Sequence, residues 1–335
     1  MWQRILLLNY EIERKRLEKN RGRSISSSNL EQDYFFLFLD GFEMNKIVVN
    51  EKIIASIIKM DIICCNGFPI KDLKPISQFN LKRLAISNTK VNNLKKIKLF
   101  KGLEEIAFER CKIQNVKPLQ KLTHLKRIYG SVNPISNLSP LSKLSSLETL
   151  WMTDCFISDL KPIKKLKTLK KLYLGGNKIE NINALRGLFK LESISFSYNR
   201  ISDLSSIAKR KHLKSIDFNG NRISNLDAIK GITSLEAVYV NNNFIEDIKP
   251  LSSLENLKYL HIWGNEITSL EPLKSCNQIL TLTCSHNRIT CIIPLLVLEK
   301  LRTLTCHSNE IPTDEVDLIL QKNRNLNPLH RKYMI

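Results

Sequence analysis

The sequence lacks the short motifs that mark many enzyme active sites. It contains no P-loop, no G-x-S-x-G nucleophile turn and no H-E-x-x-H metal-binding helix. Its eight cysteines include no C-x-x-C pair, and no histidine lies beside them at a spacing typical of zinc sites. We therefore expect a non-enzymatic protein with no cofactor and no bound metal.

Long apolar runs are also missing. Near the N-terminus only residues 5–8 are consecutively apolar, which is shorter than the roughly 7–15 residues of a signal-peptide core. No run approaches the roughly 18 residues that a membrane helix requires. We interpret the cysteines as reduced thiols, and we expect the chain in the cytoplasm or delivered into a host cell.

The chain carries an excess of positive charge. Its 335 residues include 52 Lys and Arg against 32 Asp and Glu, which gives a formal net charge of +20. This charge keeps nucleic acid, an anionic membrane and an acidic protein open as partners. With 43% hydrophobic residues, the chain also has ample material for a core.

The hydrophobic residues recur with a period of 22. Steps of 22 from Leu81 to Leu301 define eleven rungs, and the first residue, offset 0, is leucine in all of them except Ile279. Offset 3 is always Leu, Ile or Val, and offset 10 is Ile in every rung but the first. A rung of 21 residues precedes them, with matching places held by Met60, Ile63, Cys65 and Ile70.

The resulting pattern, L-x-x-L-x-L-x-x-N-x-I, resembles the leucine-rich repeat over about residues 60–322. Rungs such as ISDLKPIKKLKTL at 157–169 resemble the 22-residue class found in bacterial internalins and in the leucine-rich regulatory subunit of type-1 protein phosphatase. The resemblance implies an α/β solenoid, a curved array with a parallel β-sheet on its concave face and short 3₁₀ or α turns on its convex face. It also implies caps at both ends and a protein-binding role.

Stereochemistry gives each offset a role. Offsets 3 and 5 alternate with polar neighbours, so they point inward from a short strand, and stacked rungs lie about 4.8 Å apart. Asparagine at offset 8 is expected to bond neighbouring rungs through its amide. Three residues replace it, and the two cysteines are expected to be structural: Thr89, Cys111 and Cys155. Aspartates are expected to cap the convex turns: Asp159, Asp203 and Asp247.

Offset 1 alternates in charge over nine rungs. Equivalent positions on stacked rungs are neighbours, so each adjacent pair has opposite signs. An exposed pair contributes about 0.2–1 kcal/mol, so the main effect is expected on register. The residues are Lys82, Glu104, Lys126, Glu148, Lys170, Glu192, Lys214, Glu236 and Lys258.

The ends of the array differ from its middle. Residues 1–43 form a basic N-terminal extension and linker, predicted to be partly disordered, and 44–59 an N-terminal capping segment. Met44 opens a self-sufficient unit of cap and repeats and is an alternative start. The repeats are predicted at 60–311, about twelve rungs, and a C-terminal capping helix and tail at 312–335. TDEVDLILQK at 313–322 predicts the amphipathic capping helix.

Offsets 2, 4, 6 and 7 are expected to point outward from the concave sheet, where the family usually binds its partners. Large aromatic side chains cluster there, and such clusters often anchor interfaces, although aromatics also pack well across strands for structural reasons. The predicted partner-binding residues are Tyr129, Trp151, Tyr173, Asp154, Asp217, Tyr198, Tyr239, Tyr259, His261 and Trp263. His261, His286 and His307 fall on or near the concave face but at different offsets in separate rungs, so a metal site is not expected.

The charges on these outward offsets cancel. Four basic residues are balanced by four acidic ones: Arg83, Arg110, Arg127 and Lys171 against Glu105, Glu109, Asp154 and Asp217. A nucleic-acid groove would instead be lined with Lys and Arg. We therefore favour a monomeric protein–protein interaction scaffold of effector, immunity or phosphatase-regulator type. The alternative is a basic protein that binds nucleic acid or an anionic membrane through its convex face and N-terminal tail.

Overall fold

The computed structural model describes residues 61–77, 79–323 and 325–326. The predicted extension at 1–43, the capping segment at 44–59 and the end of the C-terminal tail lie outside these residues. Within them one unit repeats, consisting of a short strand, a loop, a 3₁₀ turn and a return loop. The division into domains therefore stays a prediction at both ends.

In the described part of the chain, twelve strands form a single parallel sheet in the order of the sequence. Each strand has three residues, and from β2 onward each residue pairs with the residue 22 positions later, as Leu150 does with Leu172. The predicted solenoid register is confirmed without a slip. The strands are β1 Ile62–Cys64, β2 Arg83–Ala85, β3 Glu105–Ala107, β4 Arg127–Tyr129, β5 Thr149–Trp151, β6 Lys171–Tyr173, β7 Ser193–Ser195, β8 Ser215–Asp217, β9 Ala237–Tyr239, β10 Tyr259–His261, β11 Thr281–Thr283 and β12 Thr303–Thr305.

The convex side is built from 3₁₀ turns, one for each rung from β1 to β11. Most of them carry proline in their first two positions, where a missing N–H costs nothing. The turns span Lys74–Ile76, Ile97–Leu99, Lys117–Lys121, Ser139–Lys143, Lys161–Lys165, Asn183–Gly187, Ser205–Ile207, Asp227–Ile229, Lys249–Ser253, Glu271–Ser275 and Ile293–Val297.

The predicted capping of these turns is confirmed. Asp159 accepts the first N–H of its turn from Lys161 at 2.8 Å. Asp203 and Asp247 make the same bond in their rungs. Asparagine does so at the equivalent offset 12 elsewhere: Asn115, Asn137, Asn181 and Asn225. A short side-chain oxygen at this offset therefore marks where these seven convex turns begin.

The core runs the full length of the array between sheet and turns. The leucines and isoleucines at offsets 0, 3 and 10 are buried in the described rungs, except for Ile311 of the last rung, which is partly buried. Burial of each such side chain contributes about 1.5–3 kcal/mol. Gly130 at inward offset 5 leaves room for Phe108 of the preceding rung, since a Cβ there would lie 2.7 Å from its ring.

The asparagine ladder forms as predicted. Asn199, for example, donates from Nδ2 to the carbonyls of Leu174 at 2.9 Å and Phe196 at 3.0 Å. Its Oδ1 accepts the N–H of Ile179 in the preceding rung at 2.9 Å. Each amide thus satisfies backbone groups of two rungs. The members are Asn133, Asn177, Asn199, Asn221, Asn243, Asn265, Asn287 and Asn309.

Cysteine replaces only part of this bonding. Cys155 donates from Sγ to the carbonyls of Gly130 and Thr153, both at 3.6 Å. The N–H of Ile135 then bonds the backbone carbonyl of Asn133 at 2.7 Å. The eight cysteines are all free thiols, and burial raises the pKa of Cys155 and takes that of Cys306 to about 12. These features support the structural interpretation of the cysteines.

Helix α1, Thr313–Lys322, follows the last rung and covers it. It occupies the residues in which the sequence predicts a capping helix. Val316 and Ile319 are buried against the core, and Leu320 packs beside them. Glu315 accepts the N–H of Ile292 through Oε2 at 2.7 Å, which ties the helix to the convex side of the preceding rung.

Candidate protein-interaction face

The concave face presents offsets 2 and 4 on either side of the buried offset 3. Because the rungs stack without stagger, side chains at one offset become neighbours across the sheet. Tyr129, Trp151 and Tyr173 are paired in this way across β4, β5 and β6. The outward assignment of offset 4 follows from the same pleat that buries Ile128, Leu150 and Leu172.

The structure brings Tyr129, Trp151 and Tyr173 into one cluster, the N-terminal aromatic group. The ring centroids of Tyr129 and Trp151 lie 6.3 Å apart, and those of Trp151 and Tyr173 lie 4.8 Å apart, edge to face. The central Trp151 is 41% exposed. Tyr173 donates its hydroxyl to Ser193 Oγ at 3.0 Å. Ring contacts hold the cluster in a fixed arrangement, and a large part of the indole stays accessible.

A second cluster, the C-terminal aromatic group, consists of Tyr239, Tyr259, His261, Trp263 and two further histidines. The rings of Tyr239 and His261 lie 4.8 Å apart in a tilted arrangement, and Tyr259 and Trp263 are exposed. Burial lowers the pKa of His261 and raises that of Tyr239. The group extends through His286, 6.2 Å from Trp263, to His307, 5.0 Å from His286.

Sequence reasoning treated His286 and His307 as separate, because they lie at offsets 7 and 6. They belong to the cluster because the ring of His286 contacts that of Trp263, and the ring of His307 contacts that of His286. Within the described residues, no group of three or more His, Cys, Asp or Glu side chains has a geometry that would hold a metal ion.

The middle of the face is polar and lies between the two groups. Ser195 donates to Asp217 Oδ2 at 2.8 Å, and Asp217 Oδ1 accepts the N–H of Asn219 at 3.1 Å. Asp217 therefore has protein partners for both carboxylate oxygens. The outward side chains at the centre of the concave face are short, whereas those at its two ends are large and aromatic.

Offset 6 points outward at the exposed Trp263, as expected, but in other rungs it turns into the sheet. Side-chain oxygens there accept the N–H of offset 6 in the following rung. Ser131 bonds Thr153 at 3.1 Å and Asn241 bonds Trp263 at 3.0 Å. Ser131 and Asn241 are buried, so short stretches of this column join neighbouring rungs by hydrogen bonds. Beyond the end of the strand, side chains no longer alternate regularly between inward and outward, because the backbone N–H groups there need hydrogen-bond acceptors.

Offset 7 also departs from the expected face. In every rung from Leu81 onward it has a positive φ, in the left-handed region. Asp154 and Tyr198 therefore lie at the edge of the sheet, after the strands, and Tyr198 is 67% exposed. Their side chains lean over Gly176 and Gly220 of the next rungs, where a Cβ would clash. Glycine on alternate rungs is the sequence signal that marks this turn.

Charges on and beside the face are paired locally. Arg127 Nε and Glu105 Oε2 lie 2.6 Å apart on the concave surface. The predicted neighbours at offset 1 are confirmed, with Lys126–Glu104 and Lys258–Glu236 both at 2.8 Å and Lys170–Glu148 at 3.2 Å. The hydrogen bond from Lys126 lowers the pKa of Glu104. The concave face thus combines neutral overall charge with two exposed aromatic groups.

Known proteins share this architecture. A family model described as leucine-rich repeats (two copies) matches residues 145–187, 211–253 and 233–275. An internalin (InlF) from Listeria monocytogenes is similar with a TM-score of 0.76 and 24% identity, covering 84% of this chain and 82% of that one. This chain has the leucine-rich repeat fold. A leucine-rich repeat protein from Leptospira interrogans gives a TM-score of 0.66 at 20% identity, with 82% and 85% covered.

The same repeat array resembles a plant receptor. The ectodomain of the receptor kinase GASSHO1/SCHENGEN3 from Arabidopsis thaliana, in complex with CASPARIAN STRIP INTEGRITY FACTOR 2, gives a TM-score of 0.62 at 17% identity. The likeness covers 75% of this chain and 36% of that one. No curated protein matches the sequence significantly. The internalin-like fold is thus confirmed, whereas the resemblance to the phosphatase regulator stays a prediction.

The described residues contain no helix long and apolar enough to cross a membrane. The leucine-rich repeat fold is a scaffold for protein–protein interaction, and its extended concave surface is built by the small rotation from one repeat to the next.

Proposed function

We propose that this leucine-rich repeat protein binds a partner protein on its concave face through the two aromatic groups. The observation that carries the proposal is the contact of Tyr129, Trp151 and Tyr173 around a tryptophan that stays 41% exposed. Tryptophan and tyrosine are enriched among the residues that dominate binding energy at interfaces. Because the concave face has no net charge, it favours binding of a partner protein over binding of a polyanion.

The spacing of the two groups indicates a folded partner. Five rungs separate Trp151 from Tyr259, which corresponds to about 24 Å along the sheet at about 4.8 Å per rung. A standard interface buries about 800 Å² on each partner, and an array of this length offers that area. In this proposal the two aromatic groups anchor the partner, and the polar centre around Asp217 faces the part of the partner that lies between these anchors. Tyr198 and Asp154 contact the partner from the edge of the sheet.

The experiment is affinity capture from a cell extract with the full chain, followed by mass spectrometry. Trp151→Ala and Tyr259→Ala are expected to lose the same partner, each weakening binding by about 2 kcal/mol or more. Phe189→Ala is the matched control, because Phe189 is an exposed aromatic residue outside the concave face. Retention of every partner by a folded Trp151→Ala variant contradicts the proposal.

The broader setting forms part of the same proposal. We infer a non-enzymatic, monomeric protein of the cytoplasm or of a host cytoplasm, acting as an effector, an immunity protein or a phosphatase regulator. The eight free thiols, six of them buried, support a reducing compartment. Equilibrium sedimentation and fractionation test the oligomeric state and the location independently of the partner.

A second candidate function is binding of nucleic acid or an anionic membrane through the convex face and N-terminal tail. Exposed lysines in successive convex turns favour it: Lys117, Lys121, Lys143, Lys161, Lys164 and Lys165. Such binding falls steeply between low and moderate salt, whereas binding through the aromatic groups does not. Titration of an oligonucleotide and of anionic vesicles at two salt concentrations separates the two candidates.

A further inference from the structure

One column of side chains lies outside both the core and the concave face. It is offset 9, immediately after the buried asparagine ladder. In five consecutive rungs its N–H donates to the offset-10 carbonyl of the preceding rung at 2.8–2.9 Å, from Phe156 to Ile135 through Phe244 to Ile223. These bonds align one side chain per rung along one edge of the array. We call this column the edge ridge: Phe156, Lys178, Arg200, Arg222 and Phe244.

The ridge exposes two large apolar side chains. Phe156 is 53% exposed and Phe244 is 55% exposed. Other rungs fill the same offset with Lys112, Arg288 or Glu310, so packing does not demand phenylalanine there. A phenylalanine side chain that stays exposed on the surface does not gain the free energy that its burial would provide. Its presence at both ends of the ridge needs a reason outside the folding of the rung.

Between the two phenylalanines, three cations follow one another on adjacent rungs. Like charges at neighbouring positions are destabilising. The chain avoids this at offset 1, where Lys and Glu alternate, and again beyond the ridge, where Arg288 pairs with Glu266 at 3.0 Å. On the ridge, Arg200 has the exposed Glu180 at 3.4 Å, and Lys178 lies over the ring of Phe156 at 5.1 Å. All three cations point into solvent.

We propose that the edge ridge binds an extended acidic segment of a partner protein. The carboxylates of the segment bond Arg200, Arg222 and Lys178, and an apolar side chain at each end packs on Phe156 and Phe244. Arginine suits this role because its guanidinium binds a carboxylate through two parallel hydrogen bonds. The ridge shares no residue with the aromatic groups of the concave face, so it is a second surface.

The dimensions set the length of the segment. Four rung steps separate Phe156 from Phe244, or about 19 Å at about 4.8 Å per step. An extended chain rises about 3.3 Å per residue, so about six residues span the ridge. Glu180 and Glu246 are exposed at offset 11 beside the ridge. Their carboxylates would repel a continuous polyphosphate or an anionic lipid surface, whereas a peptide can place neutral residues opposite them.

The test uses the full chain and a fluorescein-labelled hexapeptide, acetyl-Leu-Glu-Asp-Glu-Asp-Leu, with fluorescence anisotropy as the readout. Its Gln/Asn counterpart is the uncharged probe. We expect the acidic peptide to bind at least 10-fold more tightly than the uncharged one. Arg222→Glu is expected to weaken binding of the acidic peptide at least 10-fold, and Phe156→Ser is expected to weaken it at least 3-fold. Circular dichroism confirms that these exposed substitutions leave the fold intact.

Matched controls locate the effect on the ridge. Arg288→Glu reverses a charge at the same offset outside the ridge and is expected to change binding less than 2-fold. Trp151→Ala should leave peptide binding unchanged, which separates this surface from the concave one. Equal weakening by Arg222→Glu and Arg288→Glu would overturn the proposal. So would failure of the peptide to bind while oligo-dT or phosphatidylserine vesicles bind in an Arg222-dependent way.

Discussion

The two halves of the repeat array share one architecture but differ sharply in charge. Residues 61–190 contain 25 Lys and Arg and nine Asp and Glu, a net charge of +16. Residues 191–326 contain 15 of each and have no net charge. Both halves bury the same columns of leucine and isoleucine. The excess charge is therefore independent of the stacking that makes the fold.

The convex turns show where the difference lies. In the first half they read KPLQK, SPLSK and KPIKK, and in the second KPLSS, EPLKS and IPLLV. Lys274 of the second half is paired with Glu271 at 2.8 Å. The ladders differ too, because Thr89, Cys111 and Cys155 interrupt the asparagine column in the first half, and it is unbroken from Asn177 onward. Surface charge and ladder continuity vary, whereas the buried columns do not.

The largest predicted effect tests whether the two cores are equivalent. Leu172→Asp and Leu260→Asp each place a carboxylate at a fully buried inward position, one in each half. We expect each to lower the free energy of unfolding by at least about 4 kcal/mol. Thermal denaturation followed by circular dichroism measures it. Ser202→Asp, at an exposed position, is the control, and an unchanged cooperative melt of Leu172→Asp would show that the inward assignment is wrong.

The next prediction concerns the unbroken ladder of the second half. Asn243 donates to Phe218 and Val240 carbonyls and accepts the N–H of Ile223 at 2.9 Å. Asn243→Ala leaves these backbone groups buried without partners, so we expect a loss of about 2–3 kcal/mol. Urea denaturation measures it. A loss below about 0.5 kcal/mol would mean that relaxation of the rung or bound water replaces the amide.

In the first half, where the asparagine ladder is interrupted, a substitution is predicted to raise the free energy of unfolding. Cys155→Asn restores an acceptor for the N–H of Ile135 and a stronger donor for the carbonyl of Gly130. We expect about 1 kcal/mol of stabilisation. Cys155→Ser, which restores a hydroxyl but not the reach of the amide, is the matched control. Equal stability of the Asn and Cys forms would indicate that the local backbone of this rung has adapted to cysteine.

A buried arginine lies just past the boundary between the halves. Arg210 occupies offset 19, where Leu144, Leu166 and Leu188 stand in three preceding rungs. Its Nη2 donates to the carbonyls of Leu185 and Ser206 at 2.7 and 2.8 Å, while Nε and Nη1 are buried without partners. Burial lowers its pKa. Its guanidinium lies 4.8 Å from the exposed ring of Phe189.

Restoring the leucine should stabilise the junction. Arg210→Leu removes two unsatisfied donors and refills an apolar position, so we expect a gain of about 1–2 kcal/mol in the free energy of unfolding. Arg210→Ala, which removes the donors but leaves a cavity, should gain less or lose stability. If leucine destabilises the chain as much as alanine does, the bonds to Leu185 and Ser206 hold the turn together.

Much of the fold was predictable because its determinants repeat. A one-residue slip would turn Leu172 and its equivalents from the core to the surface, so the period of 22 residues determines the register. The side-by-side placement of Tyr129, Trp151 and Tyr173 follows from the same register. The capping role of Asp159 follows from its offset just before the turn.

The sheet edge was not predictable from hydrophobic pattern. Offsets 6 and 7 are governed by the hydrogen bonds and φ angles of backbone leaving the strand, which polarity does not record. The glycines at 176, 220 and 264, all with positive φ, were the available signal for the turn, and the missing leucine at Arg210 was the signal for the altered rung. The membership of His286 and His307 in the C-terminal aromatic group depended on that turn and could not be read from offsets alone.

The smallest predicted effect is a pH dependence of the free energy of unfolding. It is specific to the second half, whose concave face carries His261. Burial holds the pKa of His261 below its ordinary value of 6.5. Its contribution to stability is therefore present above about pH 6.5 and is lost as the pH falls through the folded-state pKa. Glu104 and Glu236, whose pKa values are lowered by Lys126 and Lys258, affect stability only below their ordinary value of 4.5.

The unfolding midpoint in urea should therefore fall between pH 7.5 and pH 5.5, and it should fall less in His261→Phe. Phenylalanine retains the ring contact with Tyr239, so a smaller pH dependence reports the proton and not the packing. His124→Phe, in the first half at an exposed position, should behave as wild type does. If His261→Phe loses as much stability on acidification as wild type, the pH dependence arises elsewhere, and the two halves respond to acid alike.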